Sequence, residues 1–292
     1  MSLWDDIAQA ISDAGDRPFA PAAPSDVGGG CINRAFRLGD GERDWFVKTN
    51  RAALLDMFDA EAAGLNALAD SRTLLAPRAL CTGISGDTSF IVLQYLALGA
   101  GDSAGWRTAG RQLAALHRHT ADAFGWERDN TIGATPQPNS WNGDWIGFWR
   151  RHRLGHQLEL AARNGHVGRL QRRGEQLLSR FASLIDHAPQ PSLLHGDLWG
   201  GNLSFTRDGT PVVYDPATYF GDREAELAMT ELFGGFGADF HAAYNEAWPL
   251  DQGYRVRKTL YNLYHVLNHL NLFGGGYGRQ AEHMIETLLA EC

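Results

Sequence analysis

Two short apolar runs, each leading into a loop rich in oxygen-bearing side chains, constrain this chain more than any other feature. Ser192-Leu193-Leu194 precedes His195-Gly196-Asp197-Leu198-Trp199-Gly200-Gly201-Asn202, and Pro211-Val212-Val213 precedes Tyr214-Asp215-Pro216. Runs of that length and content read as strands, which puts both loops at strand ends. Asn202 follows Asp197 by five residues and Asp215 follows it by eighteen. Phosphoryl transfer to a hydroxyl uses such a set. One carboxylate accepts the hydroxyl proton, while an amide oxygen and a second carboxylate hold Mg2+ against the phosphates of ATP. Asp197 is therefore the candidate base or substrate-orienting group, and Asn202 and Asp215 are the candidate metal ligands. Mg2+ takes a few protein oxygens beside phosphate and water, so a sparse set suits it. Gly200 and Gly201 let the loop double back beneath the metal.

The upstream half supplies candidates for the nucleotide. Lys48 closes a predicted strand, Trp45 to Lys48, and Glu61 follows thirteen residues later inside a helical pattern over 52–70. A lysine pointing into the cleft there neutralises α- and β-phosphates when a glutamate holds it. Glu61 is the best partner, with Asp56 and Asp59 as alternatives. Gly28-Gly29-Gly30-Cys31-Ile32-Asn33 matches neither GxGxxG nor the GK[ST] ending of a Walker A loop. Bare glycines nonetheless let backbone N–H groups approach phosphate, so Gly28, Gly29, Gly30, Cys31, Ile32 and Asn33 form a candidate cradle. Cys31 is either an inert small residue or a redox-sensitive thiol whose thiolate Lys48 favours. Gln94-Tyr95-Leu96 ends a second predicted hairpin (79–84 and 88–96), where backbone groups can bond adenine.

Strand patterns crowd the first 97 residues, after a helix at 3–14. Helical patterns dominate afterwards, at about 102–119, 141–164, 166–187, 222–233, 238–247, 251–272 and 277–290. The expectation is an α+β fold with a strand-rich nucleotide-binding lobe, 1–97, and a helix-rich catalytic and substrate-binding lobe, 98–292. Trp141, Trp145 and Trp149 recur every four residues, as core or, with Trp199, as sugar-stacking surface. His265 and His269 share a helix face that lines an acceptor pocket or is solvated or internally hydrogen-bonded. They are not a zinc pair, because Val266 takes the glutamate place of HExxH and no third ligand is apparent. The run Arg150-Arg151-His152-Arg153 reads as one helix face. A formal charge of -8 argues against nucleic acid or an anionic membrane as partner. No apolar stretch reaches transmembrane length. The acidic start, Asp5-Asp6, is unlike a signal peptide. Three cysteines make no disulfide framework, which points to a cytoplasmic location.

These motifs resemble the fructosamine kinase (ketosamine-3-kinase) family, a branch of the protein-kinase-like fold related to aminoglycoside phosphotransferases. The likeness runs nearly end to end. It is carried by Gly30-Cys31-Ile32-Asn33, Phe46-Val47-Lys48, Phe124-Gly125-Trp126, Asp129-Asn130-Thr131-Ile132-Gly133 and Gln137-Pro138-Asn139. It continues through Phe148-Trp149-Arg150 and Arg153-Leu154, His195 to Asn202, Asp215-Pro216-Ala217 and Gly221-Asp222-Arg223-Glu224. Phe233-Gly234-Gly235-Phe236 and Tyr264-His265-Val266-Leu267-Asn268-His269 complete it. The resemblance implies ATP-dependent phosphorylation of the sugar 3-hydroxyl of a ketosamine, which promotes loss of the sugar and so deglycates the amine. The substrate would be a small-molecule ketosamine or a glycated protein amine, and the enzyme a monomer or homodimer. By the same resemblance Lys48 binds phosphate, Glu61 holds it, Asp197 is the base, Asn202 and Asp215 bind metal, and Asp222 braces the catalytic loop. A cysteine in the glycine loop is connected with redox control in the family. Two departures stand out. Asp-Pro-Ala replaces Asp-Phe-Gly with no following Ala-Pro-Glu, and Glu226 stands where aspartate is expected. Two other readings remain: a kinase for another hydroxylated amine, aminoglycoside- or choline-like, and a catalytically silent nucleotide-binding regulator. The Arg- and Trp-rich stretch 140–175 disfavours the first, and the presence of every base and metal residue disfavours the second.

Overall fold

Trp4, Ile7, Ala8 and Ile11 recur at helical spacing and define one face of α1 (Leu3–Ala14). A computed structural model describes residues 2–28 and 33–292, and the expected cradle members Gly29, Gly30, Cys31 and Ile32 lie outside the described residues. The helix opens on a reciprocal cap: the Asp5 N–H donates to Ser2 Oγ at 3.3 Å and the Ser2 N–H to Asp5 Oδ2 at 2.8 Å. Ile7 and Ile11 are fully buried against Phe36, Leu38, Val47, Phe90 and Val92. Each such burial is worth roughly 1.5–3 kcal/mol, enough to seat the helix on a sheet.

That sheet is antiparallel, in the order β1 (Ser25–Asp26), β2 (Arg34–Gly39), β3 (Asp44–Arg51), β5 (Thr88–Gln94), β4 (Ala79–Ser85). β3 runs three residues past the expected end, so Lys48 lies within the sheet, opposite Ala35 on one side and Ile91 on the other. α2 (Leu55–Asp70) follows a short 3₁₀ turn. Its Phe58, Leu65 and Leu68 join Ile91 and Leu93 in an apolar cluster that continues into Leu113, Leu193, Leu198, Leu203 and Val213. The core thus crosses the expected junction at residue 97.

Three short pairings set the functional loops. β6 (Leu98–Gly99) pairs with β10 (Leu203–Thr206), and β10 pairs with β11 (Pro211–Val213) in the register Leu203↔Val213. That register brings Asn202 beside Tyr214, whose N–H donates to the Asn202 carbonyl at 3.2 Å. β9 (Ser192–Leu194) pairs with β12 (Tyr219–Gly221) as Leu194↔Tyr219, and the Ala217 N–H reaches the His195 carbonyl at 2.9 Å. A further hairpin, β7 (Asn130–Ile132) with β8 (Thr135–Gln137), is hydrogen-bonded to none of the other three sheets. Of the strands of two to four residues, β9 and β11 were expected from their apolar runs, whereas β6, β7, β8, β10 and β12 carry too little pattern and were not.

The helices are α3 (Ser103–Leu116), α4 (Trp145–Phe148), α5 (His156–Arg163), α6 (Arg169–Arg180), α7 (Arg223–Leu232), α8 (Ala238–Ala247), α9 (Tyr254–Phe273) and α10 (Tyr277–Glu291). The expected single helix over 141–164 is instead α4, a π-helical stretch Trp149–Gly155, and α5. The wider turn needs close backbone approach: a Cβ on Gly155 would lie 2.3 Å from the Arg150 carbonyl oxygen. The rotation also splits the basic run. Arg150 and Arg151 are exposed, whereas Arg153 is fully buried, its guanidinium 4.0 Å from the Tyr219 ring centre and 4.7 Å from that of Phe148. Trp145 and Trp149 are core, but Trp141 precedes the helix and is 50% exposed.

Candidate active site

Lys48, buried in mid-sheet, cannot be left without a counter-charge. Its Nζ donates to Glu61 Oε1 at 2.6 Å and to Asp215 Oδ1. Burial opposes the ammonium charge, but the two carboxylates outweigh it and hold the Lys48 pKa above its ordinary value. Glu61 is the partner among the three acids weighed. Asp59 instead accepts from the Thr82 hydroxyl at 2.5 Å, and Asp56 pairs with Arg128. Asp215, directly after the β11 turn, takes a left-handed backbone (φ +57°) and keeps its side chain 51% exposed.

The loop after β9 supplies the other groups. Asn202 Nδ2 donates to the Asp197 carbonyl at 2.8 Å and, more distantly at 3.4 Å, to Asp197 Oδ2 and the Asp215 carbonyl. With the amide nitrogen so engaged, its oxygen is the atom left for a cation. Asp197 sits recessed in the cleft floor. Burial, the nearby Asp215 charge and the Glu226 charge push its carboxyl up to about 7, against the hydrogen bond from Asn202. His195 ties the two loops together: Nε2 donates to the Tyr214 carbonyl at 2.9 Å and Nδ1 accepts from the Asp197 N–H at 3.3 Å. Those bonds require the neutral Nε2–H tautomer, and burial keeps the imidazole pKa low.

The brace of this loop is Glu226, not Asp222. The His195 N–H donates to Glu226 Oε2 at 3.0 Å and the Gly196 N–H to Oε1 at 2.7 Å, while His117 Nε2 lies 3.0 Å from Oε2. Asp222 caps α7 by accepting the Glu224 N–H at 3.0 Å, and it also bonds His187 Nε2 at 2.8 Å and the Tyr261 hydroxyl at 2.5 Å. The reason is helical geometry. Four residues on from the cap is one turn further along α7, and that turn faces the loop. Glu226 binds backbone N–H groups, which leave no side-chain signature in a sequence.

A cleft of about 790 Å³ gathers these groups. Gln94, Tyr95 and Leu96 lie along it, as do Gly28 and Asn33, the described members of the expected cradle. Trp199 is there too, its ring folded back over Gly201. His265 and His269 are not among the lining residues. His265 is buried, which takes its imidazole down to about 3, and His269 packs on Phe233 with ring centres 4.6 Å apart. Asn130, Thr131 and Gly133 of the β7–β8 hairpin do line the cleft, and sequence reasoning had assigned them no role.

Comparison with known proteins gives the chain's relatives. The fructosamine kinase family model matches residues 3–291. A protein of Synechocystis sp. described as a probable ketoamine kinase is 49% identical over 98% of this chain and 97% of its own length. The chloroplastic protein-ribulosamine 3-kinase of Arabidopsis thaliana is 41% identical over 90% of this chain and 81% of its own. Among solved structures, a candidate fructosamine-3-kinase from Haemophilus somnus superposes with a TM-score of 0.90 at 29% identity, covering 98% of this chain and 97% of that one.

Proposed function

The chain belongs to the fructosamine kinase family, and from that premise we propose that it transfers the γ-phosphoryl group of ATP to the 3-hydroxyl of a ketosamine such as a ribulosamine or fructosamine. The observation that carries this reading is the division of charge in the cleft. Lys48, Glu61, Asp197 and Asp215 are the only charged residues among its described lining. The remaining described lining is uncharged, apolar and aromatic for the most part, with Trp199 and the amide, hydroxyl and backbone groups of Asn130, Thr131 and Gly133. A polyhydroxylated sugar bearing one amine matches such a wall, whereas a polycationic aminoglycoside would want carboxylates there.

In this reading the 3-hydroxyl oxygen attacks the γ-phosphorus, Asp197 takes the hydroxyl proton, and ADP leaves. An Asp197 carboxyl raised by burial is a better proton acceptor than an exposed one. Lys48, held by Glu61, would neutralise the α- and β-phosphates. The donor set suits Mg2+: among the described residues no donor reaches the Asn202 amide oxygen, and the Asp215 carboxylate, bonded to Lys48 through one oxygen, is half exposed. Once bound there, the ion would neutralise the phosphates. Residues 1–97 would form the nucleotide-binding lobe and 98–292 the catalytic and acceptor lobe. The cleft's openness accommodates a free ketosamine or a glycated side chain on a protein. No helix of the described residues is long and apolar enough to cross a membrane, and we place the enzyme in the cytoplasm.

The test is ATP turnover against ribulosamines, fructosamines and aminoglycosides, with the phosphorylated carbon identified by NMR. Phosphate on C3 of a ketosamine is the expected result. Turnover of aminoglycosides without turnover of any ketosamine would overturn the assignment.

A further inference from the structure

Asp215 holds an unfavourable backbone, and the catalytic loop secures the segment around it at three points: His195 Nε2 at the Tyr214 carbonyl, Asn202 Nδ2 at the Asp215 carbonyl (3.4 Å), and the His195 carbonyl at the Ala217 N–H (2.9 Å). A left-handed φ of +57° at Asp215 places Cβ against its own carbonyl, and such a conformation persists only where neighbours over-determine it. Downstream, the carbonyls two and three residues beyond Asp215 are held by side chains of the β7–β8 hairpin. Gln137 Nε2 donates to the Ala217 carbonyl at 3.1 Å, and Asn130 Nδ2 to that of Thr218 at 2.8 Å.

Neither amide is free to turn. Gln137 is fully buried, its Oε1 accepts from the Tyr264 hydroxyl at 2.6 Å, and its Nε2 also donates to Asn130 Oδ1 at 2.8 Å. Asn130 Oδ1 accepts a second bond, from Asn139 Nδ2 at 2.9 Å. Asn139 Oδ1 is in turn held by the buried Arg153 at 2.7 Å. The chain of bonds runs from α9 and the π-helical stretch, through the hairpin, to the carbonyls just beyond Asp215.

The same segment is the seat of α2. Gly64 meets it without a side chain: a Cβ there would lie 2.8 Å from Thr218 Oγ1 and 3.2 Å from Pro216 Cγ. Glu61 lies one turn earlier on the same helix, and such neighbours share a face. At the outer end of α2, Arg128, just ahead of the hairpin, bonds Asp56 Oδ1 at 2.5 Å.

We propose that the β7–β8 hairpin is the positioning element for the phosphate end of the site: through Gln137 and Asn130 it holds Asp215 in its binding conformation and gives α2, with Glu61, a permanent seat. This rests on the reading of Asp215 as a cation ligand. A helix seated in this way needs no phosphorylated loop to bring Glu61 to Lys48, in keeping with the absence of an Ala-Pro-Glu segment after Asp215. Gln137, Asn130 and Tyr264 are positioning residues, because none bonds Lys48, Asp197 or Asn202.

Two variants test it, each assayed as full-length protein with a fructosamine substrate. Gln137→Leu removes both donors, and Tyr264→Phe removes only the hydroxyl that orients them. Losing a buried hydrogen bond at this point should raise the Mg2+ concentration for half-maximal rate, and the KM for MgATP, by about tenfold in Gln137→Leu. Tyr264→Phe should move both in the same direction by less. KM for the acceptor should change little, and excess Mg2+ should restore most of the rate. A merely structural role would lower the melting temperature and leave both values where they were. Should Gln137→Leu fail to fold, Tyr264→Phe decides alone. Asp215→Ala serves as reference. If it keeps wild-type MgATP affinity, the cation-ligand reading fails and this proposal falls with it. If it loses that affinity while the folded hairpin variants keep wild-type Mg2+ dependence, the proposal alone is overturned.

Discussion

Glu226→Gln isolates the brace of the catalytic loop with almost no change in shape. The carboxylate accepts from the His195 and Gly196 N–H groups through separate oxygens. A glutamine has one oxygen, so in either flip its NH₂ faces one of those two N–H groups. His117 Nε2 can turn acceptor by changing tautomer, but a backbone N–H cannot. One buried donor, one or two residues from Asp197, therefore loses its partner, at about 1–3 kcal/mol. Spent on displacing Asp197, that lowers kcat by about 5- to 150-fold. KM for MgATP should hold, because Lys48, Glu61 and Asp215 are untouched. ADP release with a fructosamine substrate gives the rates, and circular dichroism gives the melting temperature. Asp222→Asn is the control: it weakens the α7 cap and should cost stability without a matching loss of kcat. A folded Glu226→Gln variant with kcat within twofold of wild type would refute the bracing role, and a larger kcat loss in Asp222→Asn would return that role to Asp222. A pH signature follows as well. Burial raises the Glu226 pKa, but His117, His195 and the Gly196 N–H outweigh it and hold it below the ordinary carboxylate value. Stabilisation from a depressed carboxyl is present above its unfolded pKa, about 4.3, and is lost as pH falls through the folded value. The stability gap between wild type and Glu226→Gln should accordingly close in acid below about pH 4.

Three further substitutions address the reacting groups. Asp197→Asn should fold and bind nucleotide yet lose about 10²-fold or more in kcat, and near-normal turnover would remove it as base. Asp215→Ala should abolish Mg2+-dependent ATP binding by calorimetry, since the triphosphate then lacks its bridging cation. Trp199→Ala should raise KM for the sugar acceptor several-fold while leaving KM for MgATP unchanged, as expected if the indole contacts the sugar. An unchanged acceptor KM would show that it does not.

Much of the site was legible because its residues carry their chemistry in side chains at short, regular spacing. Asn202 lies five residues after Asp197, and Lys48 and Glu61 fall on a strand and a helix that periodicity reveals. The helices α1, α7, α8 and α10 were legible for the same reason. What stayed hidden works through the backbone. Glu226 and Gln137 bind main-chain groups 30 and 80 residues away, and a main-chain partner looks the same under every residue type. The π-helical stretch was hidden by its period, since Trp145 and Trp149 fit an α-helix until Gly155 lets the chain widen.

His265 shows the same limit from the other side. Its spacing with His269 suggested a polar face, yet complete burial keeps its ring neutral, and the residues lining the cleft come from a hairpin too short to leave a pattern. That exchange bears on substrate choice. A histidine-lined acceptor site would change charge near neutral pH and could draw anionic substrates. Asn130, Thr131, Gly133 and Trp199 carry no group that titrates there, so the one ionisation near neutral pH at the acceptor is that of the base, Asp197, whose carboxyl burial pushes up to about 7. The pH dependence of turnover between pH 6 and pH 8 should then report Asp197 alone, and its persistence in a folded Asp197→Asn variant would put a second titrating group into the acceptor site.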